Sequence, residues 1–439
     1  MINIDKKNKK LVSNLFLCIR LLICLFCILN LISCTKKLID YDLEIVETKA
    51  EETKVFSFEK SNNNLEQSKI VTKKDKDKLV NEHIKEIIKS RTRKPVVAKG
   101  IYLPAYVAGN PERFEPIFQN IINSDINTIV VDIKDELGRI TIGNDSEIVK
   151  DLKTSWIQIN DAQSFIKRCH ENNIYVVARI VSFLDNFAPR QDTEIAIKTK
   201  TGKLYRDAMG YYWLNPFKEK TREYLKQIAL SAADSGFDEI QMDYFRFSTD
   251  RGMRNVEFDE ADMKGLTRIE LITNFAQELY TALIEKNVFF SIDVYGSIIN
   301  SYKDQWNIGQ DFPNLIKYCD YICPMIYPSH YANKTFGFDV PDLFPHDTIY
   351  KALTGATSVI NNSYDNTSHY GIVRPWLQGF TANWLETYMV YDPKELREQI
   401  QAAKEAGYDE WLFWQGGGVY KWDAFLYPDI EKKDDEIKK

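Results

Sequence analysis

Two aspartates in the sequence have the setting that glycosidic bond cleavage requires. Asp243 and Asp293 each end a short apolar run of β-strand composition. A charge inside an apolar strand costs free energy unless it is paired or used. Neighbouring strands lie ~4.8 Å apart, so one carboxyl group could protonate a leaving oxygen while the other attacks the sugar or activates water. We therefore predict Asp243 as nucleophile or base and Asp293 as acid.

Further polar and aromatic residues lie near the ends of the other predicted strands. Aromatic rings stack on the apolar faces of sugars, and charged or amide groups bind hydroxyls. The predicted substrate-binding residues are Asp132, Lys134, Arg179, Arg246, Tyr327, His330, Trp376, Gln378 and Trp414. Asp132 is also the reserve candidate for a catalytic carboxylate. The five histidines are scattered, so neither a metal nor a cofactor is predicted.

Eight apolar β-rich runs carry these residues, and amphipathic segments of helical period separate most of them. The runs are Gly100–Tyr106, Asn127–Asp135, Ile174–Phe183, Phe237–Phe247, Val288–Gly296, Tyr321–Tyr327, Ile372–Phe380 and Glu410–Gln415. This alternation predicts an α/β fold, a (β/α)8 TIM barrel, whose chemistry lies at the carboxyl ends of its strands. A doubly wound open sheet is the alternative, but no glycine-rich phosphate turn follows the first run. Gly416–Gly418 leaves a third possibility open, a phosphosugar enzyme.

The first 34 residues have the features of a targeting segment. Lysines precede an apolar run of about 12 residues, Leu21–Ile32, and Ser33 and Cys34 follow it. This end resembles the lipobox of bacterial lipoproteins. The resemblance implies cleavage before Cys34 and lipidation of that cysteine, which would anchor the exported protein on a membrane, at the periplasmic face or the cell surface. An uncleaved signal anchor that extends back through Leu11–Ile19 is the alternative.

Composition separates this targeting segment from a large folded domain. All 19 glycines and 14 prolines lie at or beyond Pro95, where turns must therefore begin. We predict a signal peptide at 1–33, a charged and largely disordered linker at 34–94, the barrel at 95–428 and a charged tail at 429–439. Residues 95–439 contain 37 Lys and Arg against 50 Asp and Glu, and such an acidic body does not favour a nucleic-acid partner.

Several motifs between residues 97 and 425 resemble, in family order, a bacterial domain-of-unknown-function family classed as glycoside hydrolases. The motifs are Lys99–Tyr102, Val131–Asp135, Gly236–Phe247, Pro324–Tyr331 and Arg374–Gln378. The resemblance implies a barrel related to the α-amylase and α-galactosidase superfamily and a glycan substrate. In related barrels a carboxylate at the end of strand 4 is the nucleophile, and that position corresponds to Asp243. The acid role of Asp293 is inferred from its position alone.

The sequence thus predicts a lipid-anchored glycoside hydrolase that cleaves a cell-envelope or environmental polysaccharide with two carboxyl groups. The alternative is a non-catalytic lipoprotein that uses the same barrel to bind glycan or another surface partner. The two readings share the fold and the cleft. Only the first predicts cleavage.

Overall fold

The computed structural model describes residues 82, 84–364 and 370–426. The predicted signal peptide, the Cys34 anchor, most of the linker and the tail at 429–439 lie outside the described residues. Within the part of the chain that is described, no helix combines the length and the apolar character needed to cross a membrane.

The strands form one closed parallel sheet. In chain order they are β1 Lys99–Leu103, β2 Thr128–Lys134, β3 Tyr175–Val181, β4 Glu239–Asp243, β5 Phe289–Tyr295, β6 Tyr321–Met325, β7 Ile372–Val373, β8 Trp376–Gln378 and β9 Trp411–Trp414. Each strand pairs in parallel with its neighbours, and β5 pairs with β6 to close the ring. β7 and β8 are two pieces of one barrel strand, interrupted at Pro375, which lacks a backbone N–H. The predicted eight-stranded barrel is confirmed.

In the part of the chain that the structure describes, six long helices surround the sheet. They are α1 Pro111–Ile122, α2 Ala162–Glu171, α3 Glu219–Asp234, α4 Arg268–Glu285, α5 Pro345–Ser363 and α6 Pro393–Glu405. Shorter helices cover Ala105–Ala108, Glu147–Leu152, Ala188–Gln191, Glu260–Met263, Tyr302–Ile308 and Phe312–Leu315. Helix α4 shows how the sequence sets such an element: Thr267 and Glu270 form a capping box at its start, and Leu271, Phe275 and Leu279 recur every fourth residue on its buried face.

An ion-paired layer fills the barrel interior near its N-terminal end. Arg374 donates hydrogen bonds to Glu239 at 2.8 and 2.9 Å and to Glu410 at 2.7 Å, and the guanidinium lies 3.4 Å from the ring centroid of Tyr321. Arg374 and Glu239 are fully buried. This layer and the apolar residues above it therefore pack the barrel interior.

The residues just before β1 pack across the N-terminal end of the barrel. A helix over 84–90 buries Ile84, and Arg91 pairs with Asp320 at 2.7 Å. The Arg91 guanidinium also lies 4.4 Å from the ring of Phe289, the first residue of β5. The end of the predicted linker therefore packs against the barrel. Its charged composition is typical of a solvated segment, but its last basic residues have acidic partners at the starts of strands.

Candidate active site

Arg179, on β3, connects three carboxylates at the C-terminal end of the barrel. Its Nη1 donates to Asp132 at 2.5 Å and its Nη2 to Glu136 at 3.0 Å. Nη2 and Nε both donate to Oδ2 of Asp243, at 2.6 and 3.1 Å. The Arg179 side chain is 1% exposed. A buried guanidinium with this many carboxylate contacts fixes the positions of Asp132 and Asp243 relative to each other.

Asp132 is hydrogen-bonded to a tyrosine whose ring belongs to an aromatic pair. Its Oδ2 accepts a hydrogen bond from the Tyr102 hydroxyl at 2.5 Å, and the Tyr102 ring stacks on Trp414 with centroids 4.1 Å apart. Trp414 lies 4.7 Å from the Arg179 guanidinium. Burial raises the pKa of Asp132 to about 7, and the charge of Glu136 adds to this while Arg179 opposes it.

Asp243 is the last residue of β4, and the chain turns sharply after it. The next residue, Tyr244, has φ of +47°, in the left-handed region that side chains other than glycine seldom adopt. This turn lets the Tyr244 amide donate to Oδ1 of Asp243 at 2.6 Å, while Arg179 occupies Oδ2. Every donor to this carboxyl group stabilises its charged form.

Asp293 lies beside Asp243 on the neighbouring strand. Met242 of β4 pairs with Ile292 of β5, so the next position along each strand brings the two aspartates side by side, at the ~4.8 Å spacing of adjacent strands. Oδ1 of Asp293 accepts the indole N–H of Trp376 at 2.8 Å. Burial raises the pKa of Asp293 well above its usual range, and the charge of Asp243 raises it further, although Arg179 opposes both.

Tyr327 lies close enough to Asp243 and Asp293 for their charges to affect its hydroxyl group. Burial raises the pKa of its hydroxyl, and the next causes are the charges of Asp243 and Asp293. Its ring contacts His330 and Phe380 edge-on, with centroids 5.2 and 5.7 Å away. Tyr327 therefore connects the carboxyl pair to an aromatic cluster that extends to the surface, where Trp384 is 62% exposed.

Two cavities flank this centre. The first, of about 740 Å³, reaches Tyr295 and Met325 at the ends of β5 and β6 and includes His330. The second, of about 400 Å³, is lined in part by Glu136, Tyr244 and Arg246. Ser248 lines both, and Arg246 donates to the Tyr295 hydroxyl at 3.0 Å between them. The predicted residues Arg246 and His330 thus border open space.

The structure places Lys134, a predicted substrate-binding residue, in a buried ion pair. A bulge between Asp132 and Lys134 shifts the register on β3, so that Lys134 pairs with the outward-facing Ile180. Its ammonium is fully buried against three backbone carbonyls and lies 3.0 Å from Asp185. The charge stabilises the loop after β3 instead of a substrate.

The side-chain amide of Gln378, another predicted substrate-binding residue, is engaged within the protein. Its side-chain amide accepts from the Ser329 amide at 3.0 Å and donates to Asp342 at 3.1 Å. Its backbone N–H donates to the side chain of Gln399 on α6. These bonds saturate the buried amide, so Gln378 ties the end of β8 to its neighbours. Trp376 is also buried, and it acts on Asp293 instead of lining a cavity.

Two residues of this centre are absent from the sequence-based prediction. Tyr102 lies within an apolar run in which an aromatic ring is typical of the core, and Glu136 lies in a loop beyond the predicted strand. The only sequence signal for Glu136 is the density of charge after β2, since Lys134, Asp135 and Glu136 are consecutive.

Known proteins are similar to this chain in fold and in sequence. A family model described as "Putative glycosyl hydrolase domain" matches residues 100–420, which is most of the chain. The chain belongs to this family. No curated protein matches it. The glycosyl hydrolase domain includes every residue of the centre described above, and the family implies a carbohydrate substrate.

Solved structures resemble the chain to different extents in sequence identity, coverage and TM-score. A hypothetical protein from Ruminiclostridium thermocellum ATCC 27405 is 30% identical over 44% of this chain and 97% of its own, with a TM-score of 0.39. The PgaB (BpsB) glycoside hydrolase domain from Bordetella bronchiseptica is 11% identical over 78% and 98%, with a TM-score of 0.52. The TtGalA α-galactosidase from Thermus thermophilus is 11% identical over 81% and 65%, with a TM-score of 0.46. The second of these supports the barrel fold of the glycosyl hydrolase domain.

Proposed function

We propose that the protein hydrolyses glycosidic bonds of a polysaccharide through Asp243 and Asp293. The observation that carries the proposal is the contrast between these adjacent carboxyl groups. Asp243 receives two hydrogen bonds from Arg179 and one from a backbone amide, all of which favour its charged form. Asp293 is buried beside that charge, which favours its protonated form. Paired carboxyl groups in opposite protonation states are what an acid and a nucleophile or base require.

In this mechanism Asp293 donates its proton to the glycosidic oxygen as the bond to the leaving sugar breaks. Asp243 either attacks the anomeric carbon or takes a proton from water that attacks it. Arg179 holds the Asp243 carboxylate in place. The carboxylate that Asp293 becomes keeps its hydrogen bond from the Trp376 indole, which limits the cost of the new charge.

The two cavities supply room for sugar units on both sides of the scissile bond. Tyr244 and Arg246 border one, and Tyr295 and His330 border the other. The side chains of Trp384 and Tyr106 add exposed aromatic surface. An extended glycan, such as one of the cell envelope or the surroundings of the cell, fits this arrangement better than a single small sugar.

Hydrolysis can be tested directly with residues 35–439, which lack the predicted signal and anchor. The protein is incubated with peptidoglycan and a panel of polysaccharides, and new reducing ends are measured and the products identified by mass spectrometry. The proposal expects release from at least one polymer by the wild type and none by Asp243→Asn. Release that is equal in both would remove Asp243 from the mechanism.

One observation favours the non-catalytic alternative. Asp243 and Asp293 are only 4% and 1% exposed, so a substrate must displace neighbouring groups to reach them. A glycan-binding protein needs no such access. It would retain glycans from the same panel on an affinity column without producing reducing ends, and the two assays together separate the functions.

The location of the enzyme is part of the proposal. The lysines, apolar run and Ser33-Cys34 end of the N-terminal segment support export and lipidation at Cys34. Fractionation of cells that express the full chain, with a detergent-phase partition, tests whether it is held on a membrane.

A further inference from the structure

The larger of the two cavities carries an excess of positive charge. Four cationic side chains line it: Arg251, Arg254, Arg268 and Lys303. Two acidic residues, Asp250 and Asp304, also line it. This excess is notable because residues 95–439 as a whole have 13 more acidic than basic side chains. The local balance is therefore opposite to that of the body around it.

These four cations lack partners of opposite charge. Within residues 82, 84–364 and 370–426, none of them forms an ion pair, although many other lysines and arginines do. One of the two acidic residues has other partners, since Asp250 accepts the backbone amides of Gly252 at 2.6 Å and Ala208 at 3.2 Å. The positive charge is thus available to a ligand.

Arg268 is the most firmly held of the four. Its Nη1 donates to the carbonyl of Asn307 at 2.7 Å, and its guanidinium lies 5.0 and 5.7 Å from the rings of Phe247 and Phe258. Burial lowers the pKa of Arg268. A partly buried guanidinium fixed by a carbonyl and two rings presents its remaining donors in a set direction, which suits a planar or tetrahedral anion.

The cavity adjoins the carboxyl pair. Tyr295, which lines it, lies two residues beyond Asp293 on β5, and Ser248 lines both this cavity and the one beside Asp243. A sugar unit next to the bond being cleaved would therefore bring its substituents toward the four cations.

We propose that this cavity is a subsite for a negatively charged sugar unit, so that the polysaccharide substrate is acidic and carries carboxylate or phosphate groups. The inference rests on the proposed function for its connection to cleavage. The prediction that the cavity binds an anionic sugar unit rests on the residues that line the cavity.

The test measures binding to the Asp243→Asn variant of residues 35–439, so that cleavage plays no part. Isothermal titration calorimetry compares hexuronate oligosaccharides with the same oligosaccharides after chemical reduction of their carboxyl groups. A second arm compares a phosphate-bearing oligosaccharide with its dephosphorylated form. We expect at least about tenfold tighter binding of one charged form than of its neutral counterpart, weakened by added salt.

The variant Arg251→Gln/Arg254→Gln assigns that preference to the cavity. Both side chains are exposed, so the fold should tolerate the change. Affinity for the charged form should fall about tenfold while affinity for the neutral form is unchanged. Lys404→Gln, which replaces an exposed cation on α6, is the matched control and should bind as the parent does.

Equal affinity for the charged and neutral forms in both arms would overturn the proposal, as would unchanged charge preference in the double variant. Charge-dependent binding by a wild-type protein that releases no reducing ends would instead reject hydrolysis and leave the anionic subsite standing. The two failures are therefore distinguishable.

Discussion

The indole N–H of Trp376 donates to Oδ1 of Asp293 at 2.8 Å. Asp293 lies on β5, and β5 pairs with β4, the strand that carries Asp243. The hydrogen bond from Trp376 fixes the Asp293 carboxyl group without giving it a positive partner. Asp243, in contrast, receives two hydrogen bonds from Arg179. Two identical residue types thus meet different electrostatic conditions, and most of the following predictions depend on that difference.

Replacement of Asp243 or Asp293 with Asn should lower kcat at least ~100-fold, because each change removes the group that exchanges a proton or attacks the sugar. The melting temperature should change little in Asp293→Asn, whereas Asp243→Asn removes one carboxylate partner of the buried Arg179 and should lower it. In Asp293→Asn the new amide oxygen can still accept from Trp376, and it replaces a carboxyl group whose burial raises its pKa and favours the neutral form. Ser291→Ala, two residues earlier on β5, is the control and should keep full activity. Wild-type turnover in either Asn variant would contradict the assignment.

Trp376→Phe tests whether Trp376 is a positioning residue for Asp293. In the wild type the hydrogen bond from Trp376 lowers the pKa of Asp293. The variant lacks this bond, so the pKa of Asp293 should rise further. The rate falls as pH rises through the pKa of the acid, and this limb of the kcat profile should therefore move to higher pH. Trp411→Phe, also a buried indole, controls for lost volume. An unmoved limb would mean that Trp376 is only a packing residue.

Asp132 should make stability depend on pH. Its pKa is about 7 in the folded protein against about 3.9 unfolded, so the folded state binds the proton more tightly. Its stabilising contribution is complete below pH ~4 and is lost as pH rises to ~7. The free energy of unfolding of wild type minus that of Asp132→Asn should therefore fall across this range. Denaturant titrations at several pH values measure it, and a constant difference would argue against the shift.

Lys134→Met should destabilise the protein by about 3–5 kcal/mol, because it leaves Asp185 as a buried charge without its partner. Adding Asp185→Asn should restore part of that loss, since Asn can still accept from the amides of Phe187 and Ala188. Urea titrations of both variants test this. Below its unfolding transition, Lys134→Met should bind glycan as the wild type does, and a large loss of affinity would return Lys134 to the site.

Cys34→Ala should release the protein from the membrane fraction, because lipidation requires the cysteine thiol. Cells grown with labelled palmitate should show label in the wild-type chain and none in the variant. Ser33→Ala, which keeps a small residue before the cysteine, should retain the label. A chain that stays on the membrane without label would indicate an uncleaved signal anchor instead.

Much of the barrel could be predicted from sequence because buried parallel strands are apolar on both faces and helices between them are amphipathic. The same logic located Asp132, Arg179, Asp243 and Asp293, since a charge that ends an apolar strand is conspicuous. Tyr102 escaped this logic because an aromatic residue in an apolar run carries no such contrast. Its hydroxyl matters only because the barrel brings it to Asp132.

The positions of two predicted site residues, Lys134 and Gln378, have geometric causes that the sequence does not show. Simple alternation places Lys134 on the same face as Asp132, but the bulge between them reverses that face. Gln378 lies within the predicted run Ile372–Phe380, yet Asp342 and Gln399, which bind its side-chain amide and its backbone N–H, come from other parts of the chain. Neither a bulge nor a long-range partner leaves a local mark in the sequence.

The entry of the chain at the N-terminal end of the barrel bears on how the enzyme would meet its substrate. Residues 84–94 lie at the opposite pole from Asp243 and Asp293. If Cys34 is lipidated, the anchored chain joins the barrel at that pole, so the attachment itself leaves the open cavities uncovered.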